Sequence, residues 1–236
     1  MTEPTGDGRR VVVVGAGIGG LTTALALHAA GIEVVVVESS RRLLPLGVGI
    51  NLLPHAVREL TELGLGAALA ADGVATADLA YHDRFGSLIW TEARGMAAGY
   101  RWPQYSIHRG RLQMMLLDTV RTRLGPESVR TGLAFEGFEQ SRREVRAHLR
   151  NRATSQVETL VSDVLVGADG IRSAVRAQLH PNEGPPIWNG ISMWRGVTEA
   201  EPFLGGRTMI MAGSNLRSKF VAYPSPRRRS DGAGHR

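Results

Sequence analysis

Between Arg10 and Glu38 the chain alternates apolar runs with glycine. Val11–Val14 is followed by Gly15-Ala16-Gly17-Ile18-Gly19-Gly20, then by the apolar stretch Leu21–Ala30, Gly31, and a second run Ile32–Val37 that ends on Glu38. Uninterrupted β-branched residues favour a strand buried on both faces, as in a parallel sheet. Leu21, Leu25 and His28 share a helical stripe, and Gly31 stands where a helix would end. The pattern predicts strand, tight turn, helix, strand. Arg9-Arg10 ahead of about 20 apolar residues also fits an export signal or a membrane span. The valine run, four glycines within six residues, and a second apolar run in place of a cleavage site argue against both.

Further along, Pro54 suits a first helical turn, with Val57, Leu60 and Leu63 on one stripe and Gly64 as the stop. Residues 76–91 read as a hairpin turning at Asp83–Gly86. The clearest amphipathic helix covers Arg109–Gly125, where Leu112, Met115, Leu116, Val120 and Leu124 recur at three to four residues. Strands are expected at Leu133–Gln140, Glu144–Leu149 and Gln156–Val161. "SDVLVGADGIRSAVRAQL" reads as another strand, turn and helix. From 187 to 223 the pattern turns to β, in "GISMWRGVT", "RTMIMA" and "KFVAYP".

Composition changes this picture little. With 43% hydrophobic and 21% charged residues, the 236-residue chain is an ordinary globular sequence with room for a sizeable core. Without cysteine it has no disulfide, thiolate metal site or redox dithiol. No credible targeting segment is present, so the cytoplasm is the expected compartment. The formal charge of +6 invites a nucleic-acid reading, but the last twelve residues, "SPRRRSDGAGHR", carry half of it and no basic run is interleaved with aromatics. Neither a nucleic acid nor a membrane is the expected partner.

The chemistry lies in the glycines. In GxGxxG, Gly15 makes the tight turn, Gly17 lets the backbone approach a pyrophosphate, and Gly20 lets helix pack on strand. Phosphates sit at the helix N-terminus, beside Ile18 and Gly19, where free N–H groups and the helix dipole favour anions. Glu38, 18 residues after Gly20, is placed to accept hydrogen bonds from ribose hydroxyls. A carboxylate there disfavours a 2′-phosphate, so the cradle suits FAD or NAD rather than NADP.

Three motifs together carry a resemblance: "GAGIGG" with Glu38, "HRGRLQ", and "VLVGADGIRSAVR". The chain resembles the single-component FAD-dependent aromatic hydroxylases, the group of the p-hydroxybenzoate and salicylate hydroxylases, up to about Pro224. The stretches "PLGVGINLLPHAVREL", "YSIHRGRLQMMLL" and "GISMWRGVTE" are most similar to phenazine-modifying members. The resemblance implies an α/β fold: an FAD-binding βαβ unit, a glutathione-reductase-like Rossmann variant, with an inserted, mostly β substrate layer. The FAD-binding part would comprise 1–73 and 105–180, the β-rich layer 74–104 and 181–224, and a disordered tail 225–236. It further implies that Arg109 contacts the flavin nucleotide, and that Asp169 and Gly170 lie near the FAD pyrophosphate and serve the nicotinamide nucleotide. The loop of Gly47 and Gly49 would pass close to the flavin ring. Trp194 and Arg195 would sit on a strand above it, with Trp194 expected in the core. The candidate cofactor site is thus Gly15, Gly17, Ile18, Gly19, Gly20, Glu38, Ser39, Gly49, Arg109, Asp169 and Gly170. By the resemblance, FAD is reduced by NADH or NADPH and, with O₂, hydroxylates a small, electron-rich aromatic ring, phenazine-like in the nearest members. No side chain stands out as a catalytic acid or base.

Two departures qualify the resemblance. Ser39 stands where many members have an arginine after the ribose-binding acid, so Arg41 or Arg42 is the candidate to cover the adenine. The family's Gly-Asp segment with its following His and Pro is absent, and "SPRRRSDGAGHR" follows "KFVAYP" instead. From these the expectation is a truncated or frameshifted product, incomplete at its C-terminus, that keeps the adenosine cradle and does not hydroxylate. Asp169 also has a plain structural reading as a helix cap.

Overall fold

The computed structural model describes residues 9–226. The valine run forms β1 (Arg10–Val14), in which Val11–Val14 are all buried. Then come α1 (Ile18–Ala29) and β2 (Glu33–Glu38). The chain continues through β3 (Gly49–Leu52), α2 (Pro54–Glu62), α3 (Gly66–Asp72) and β4 (Gly73–Thr76). A hairpin of β5 (Asp78–His82) and β6 (Leu88–Ala93) precedes β7 (Gln104–His108) and α4 (Arg109–Leu124). After β8 (Val129–Thr131) come β9 (Leu133–Gln140), β10 (Val145–Asn151), β11 (Val157–Ser162) and β12 (Val164–Gly167). The last elements are α5 (Ala174–Leu179), β13 (Thr208–Gly213) and β14 (Lys219–Ala222).

Contacts divide the chain into two units, Met1–Pro45 with Gln113–Met193 and Leu46–Leu112 with Trp194–Arg236. The first holds a four-stranded sheet in the order β12-β1-β2-β8, with every pair parallel. Val14 pairs with Gly167 on one side and Val37 on the other, so β1, β2 and β12 reach one end of the sheet together. Helix α1 packs on β1 and β2. The antiparallel meander β11-β10-β9 contributes Leu133, Ala147 and Leu149 to a core shared with Val12, Val14, Val37 and Val175 of α5. The buried stripe of α1 is Leu21, Ala24 and Leu25. His28, expected on it, is exposed in the last turn, where an imidazole suits the negative end of the helix dipole.

The second unit holds two sheets, β3-β7-β4 and β14-β13-β5-β6. In the hairpin, the Asp83 carboxylate accepts from the N–H groups of Phe85 and Ser87 and ties the turn. The boundaries read from sequence at 73/74 and 104/105 fall inside this unit, because β7 pairs with both β3 and β4. The strand expected in "GISMWRGVT" does not form. Residues 187–203 have no strand or helix, and Ile191, Met193 and Val197 are exposed. A strand needs a neighbour to take its backbone hydrogen bonds, and among the described residues none pairs with this stretch. Trp194, expected in the core, is 91% exposed for the same reason. The expected tail at 225–236 lies, from residue 227 on, outside the described residues. No helix among the described residues is long and apolar enough to cross a membrane.

Candidate cofactor-binding site

The turn from β1 into α1 separates its glycines into two kinds. Gly15 has φ +105°, and a Cβ there would lie 2.5 Å from the carbonyl oxygen of Ala168 and 3.0 Å from Cα of Asp169. A Cβ at Gly20 would lie 1.9 Å from the carbonyl oxygen of Gly15. These two glycines let the turn close against the end of β12 and let α1 close against the turn. At Gly17 and Gly19 a Cβ would meet nothing within 4 Å. Those two edge the open side of the loop. Gly17 is the N-cap of α1 and supplies no side chain to the first turn. The first N–H groups of a helix have no partner within it. Open space beside uncapped N–H groups at the positive end of a helix fits the diphosphate of a dinucleotide cofactor. Ile18 is the first residue of α1 and half-buried.

Glu38 ends β2 beside this turn. Its Oε2 accepts the N–H of Ala16 at 2.9 Å, and its Oε1 accepts the N–H of Ser40 at 2.8 Å and the hydroxyl of Ser39 at 3.3 Å. Partial burial pushes its pKa up, but the hydrogen bonds from Ser40, Ala16 and Ser39 outweigh it, so the carboxyl titrates below its ordinary value. Glu38 therefore stays a carboxylate at neutral pH, able to accept further hydrogen bonds from ribose hydroxyls. Ser39 here serves the carboxylate. Of the two arginines considered for the adenine, Arg41 donates to the carbonyl oxygen of Arg152. Arg42 is exposed.

A residue without a role in the sequence reading joins the loop from α4. Gln113 is 9% exposed, and its Nε2 donates to the carbonyl oxygen of Ala16 at 2.8 Å. It shares a helical stripe with Leu116, Leu117 and Val120, all buried. A lone amide on an apolar stripe was the available signal. Its partner, 97 residues away in sequence, was not legible.

Asp169 follows β12 and approaches Gly15 through its backbone. Its side chain caps α5: Oδ2 accepts from the N–H of Ala174 at 2.7 Å and of Val175 at 3.3 Å, and Oδ1 accepts the Ser173 hydroxyl at 2.5 Å. Gly170 has φ +82°. The first unit thus brings together Gly15, Gly17, Ile18, Gly19, Gly20, Glu38, Ser39, Asp169 and Gly170.

Gly49 and Arg109 belong to the second unit and are close within it. Gly49 pairs with His108, and the N–H of Arg109 donates to the carbonyl of Val48 at 2.8 Å. The Arg109 side chain packs beside Gly47, where a Cβ would lie 3.7 Å from Arg109 Cδ. Its guanidinium is exposed at the first residue of α4, and no carboxylate pairs with it among the described residues. A cation there opposes the helix dipole. Gly49 itself is buried. A Cβ on it would lie 2.4 Å from Cε2 of Tyr223, and its carbonyl accepts from Tyr223 Oη at 2.7 Å and Arg195 Nη2 at 2.5 Å.

Residues 9–222 match the family model described as FAD binding domain. A phenazine 1,6-dicarboxylic acid hydroxylase, PhzS, of Lysobacter antibioticus is 53% identical over 216 residues, covering 91% of this chain and 53% of that protein. The structure of 2,6-dihydroxypyridine-3-hydroxylase from Arthrobacter nicotinovorans matches with a TM-score of 0.73 at 26% identity, over 93% of this chain and 52% of that one. Klebsiella pneumoniae HpxO, in complex with FAD and uric acid, matches with a TM-score of 0.71 over 92% of this chain and 53% of that one. At 24% identity that last likeness is one of fold. The chain spans about half the length of these relatives.

Proposed function

The chain belongs to the FAD-binding-domain family, and on that premise we propose that it acts as an FAD-dependent monooxygenase on a small aromatic substrate, using NADH or NADPH and O₂ in the cytoplasm. The observation that carries the reading is the open side of the loop at Gly17 and Gly19, set at the uncapped start of α1 beside the Glu38 carboxylate. A phenazine-type ring is the proposed substrate class, supported by 53% identity to a phenazine hydroxylase across 91% of this chain.

When bound, FAD would supply the redox and oxygen chemistry. The residues of this chain would bind and orient it. The N–H groups at the start of α1 take the diphosphate, Glu38 takes the ribose, and Asp169 with Gly170 borders the diphosphate from the end of β12. Arg109, which pairs with no carboxylate among the described residues, is proposed on the family resemblance alone to contact the flavin nucleotide.

A second reading has one observation in its favour. Residues 187–203 form no strand and expose Ile187, Met193 and Trp194. A chain with that stretch open would bind FAD through the first unit without coupling its reduction to hydroxylation. One experiment separates the two. The purified chain is assayed for bound flavin, and NADH and NADPH oxidation is followed with and without phenazine carboxylates and hydroxybenzoates. Substrate-stimulated oxidation with hydroxylated product supports the monooxygenase reading. Flavin binding with no substrate response leaves the binding reading alone, and absence of flavin or ADP binding overturns both.

A further inference from the structure

The Ala16 peptide links are held from two sides. Ala16 is fully buried, its N–H donates to Glu38 Oε2 at 2.9 Å, and its carbonyl accepts Gln113 Nε2 at 2.8 Å. The acceptor and the donor come from separate elements, the end of β2 and the second turn of α4. In a trans peptide, the carbonyl of one residue and the N–H of the next point in opposite directions. The carbonyl of Ala16 and the N–H of Gly17 share one such plane. Drawing that carbonyl inward to buried Gln113 therefore turns the Gly17 N–H outward. The loop is open at this residue, since a Cβ at Gly17 would meet nothing within 4 Å.

We infer that Gln113 is a positioning residue for the cofactor's diphosphate: by holding the Ala16 carbonyl it aims the Gly17 N–H into the open side of the loop. The inference rests on the FAD reading above. It assigns Gln113 no contact with the cofactor. The Ala16 carbonyl needs a donor, which the Gln113 amide supplies, while the Glu38 carboxylate occupies the N–H side. Without Gln113 the Ala16 carbonyl is buried and unpaired, and the peptide gains by rotating toward water. That rotation turns the Gly17 N–H away from a diphosphate.

The test uses the full chain and two variants, Gln113→Leu, which cannot donate, and Gln113→Glu, which keeps the shape but places an oxygen against the Ala16 carbonyl. ADP affinity is measured by calorimetry, adenosine affinity by competition against ADP, and amide exchange over residues 15–20 in the apo protein. The expected result is ADP binding about tenfold weaker in both variants, adenosine binding within about twofold of wild type, and a changed exchange rate at the Gly17 N–H, the amide of the rotating peptide. The adenosine comparison isolates the diphosphate, which a general loss of structure would not. Should Gln113→Leu fail to fold, Gln113→Glu carries the same comparison. Equal losses for ADP and adenosine, or ADP affinity unchanged in the variants, would overturn the assignment of Gln113 while leaving the FAD reading intact. Wild-type chain that binds neither ADP nor FAD would overturn that reading, and the role of Gln113 with it.

Discussion

Glu38→Ala perturbs two things that the structure joins in one carboxylate. In the apo protein the substitution removes the acceptor for Ala16 N–H and for Ser40 N–H. Ser40 is exposed, so water replaces the lost partner there. Ala16 is fully buried, so its N–H is left with no partner, at a cost of about 1–3 kcal/mol to the folded state. In the complex the same substitution removes charge-assisted hydrogen bonds to the ribose, worth about 1.5–3 kcal/mol. Affinity for FAD, or for ADP, should fall about tenfold to a hundredfold. Glu38→Gln separates the two effects. Its remaining oxygen still accepts from one backbone N–H, so stability falls less, while the charge is lost and affinity still drops. Thermal melts of apo protein and calorimetric titrations with ADP would be run on all three proteins. ADP affinity unchanged in Glu38→Ala would remove Glu38 from the site, and unchanged apo stability would show that the loop does not depend on its bond to Ala16.

Acid titration gives an independent reading of the same group. The folded-state pKa of Glu38 lies below its ordinary 4.5, because hydrogen bonds to the carboxylate outweigh partial burial. A group depressed in this way contributes stability that is fully present above its unfolded value and is lost as pH falls through the folded one. The wild type should therefore lose more stability than Glu38→Gln on acidification below about pH 4.5, and the two should run parallel between pH 6 and 8. Parallel curves throughout would mean that the carboxylate is not held in the folded state as described.

Arg109→Ala should weaken FAD binding by about tenfold while apo melting holds or rises, since a cation is removed from a helix N-terminus; a large drop in apo melting with flavin binding intact would make Arg109 structural. Gly17→Ala should fold and melt like wild type but bind ADP about tenfold more weakly, because the new methyl enters the open side of the loop. Gly20→Ala should instead lose folded protein outright, since its Cβ would lie 1.9 Å from a backbone oxygen; similar behaviour of the two alanine variants would refute the division of the glycines. Asp169→Ala should cost about 0.5–2 kcal/mol of apo stability through the lost cap of α5, and FAD affinity measured on the same sample should fall as well. Wild-type affinity in that variant would confine Asp169 to capping.

What the sequence made legible was local. Val11–Val14, the glycine turn and the return strand to Glu38 are contiguous, so their order is readable along the chain. β3, β4 and β7 were not legible, since they are short and half-buried and exist through pairing across gaps of about 30 to 60 residues. The converse error came at "GISMWRGVT", where β-type composition met no pairing neighbour. The Asp169 cap was legible as a class of interaction, yet the helix it caps starts five residues later, at Ala174.

The candidate site divides along the same line. A GxGxxG match names four glycines without saying which of them face protein and which face a ligand. That distinction depends on atoms far away in sequence: Ala168, whose carbonyl forbids a side chain at Gly15, and Gln113, which holds the carbonyl just before Gly17. Gln113 illustrates the physical limit most clearly. An amide on the buried stripe of α4 must find a partner, because burying it unpaired is costly. Sequence alone therefore demanded that some acceptor exist. It could not show that the acceptor is Ala16, because the two residues are 97 positions apart and no spacing within the motif relates them.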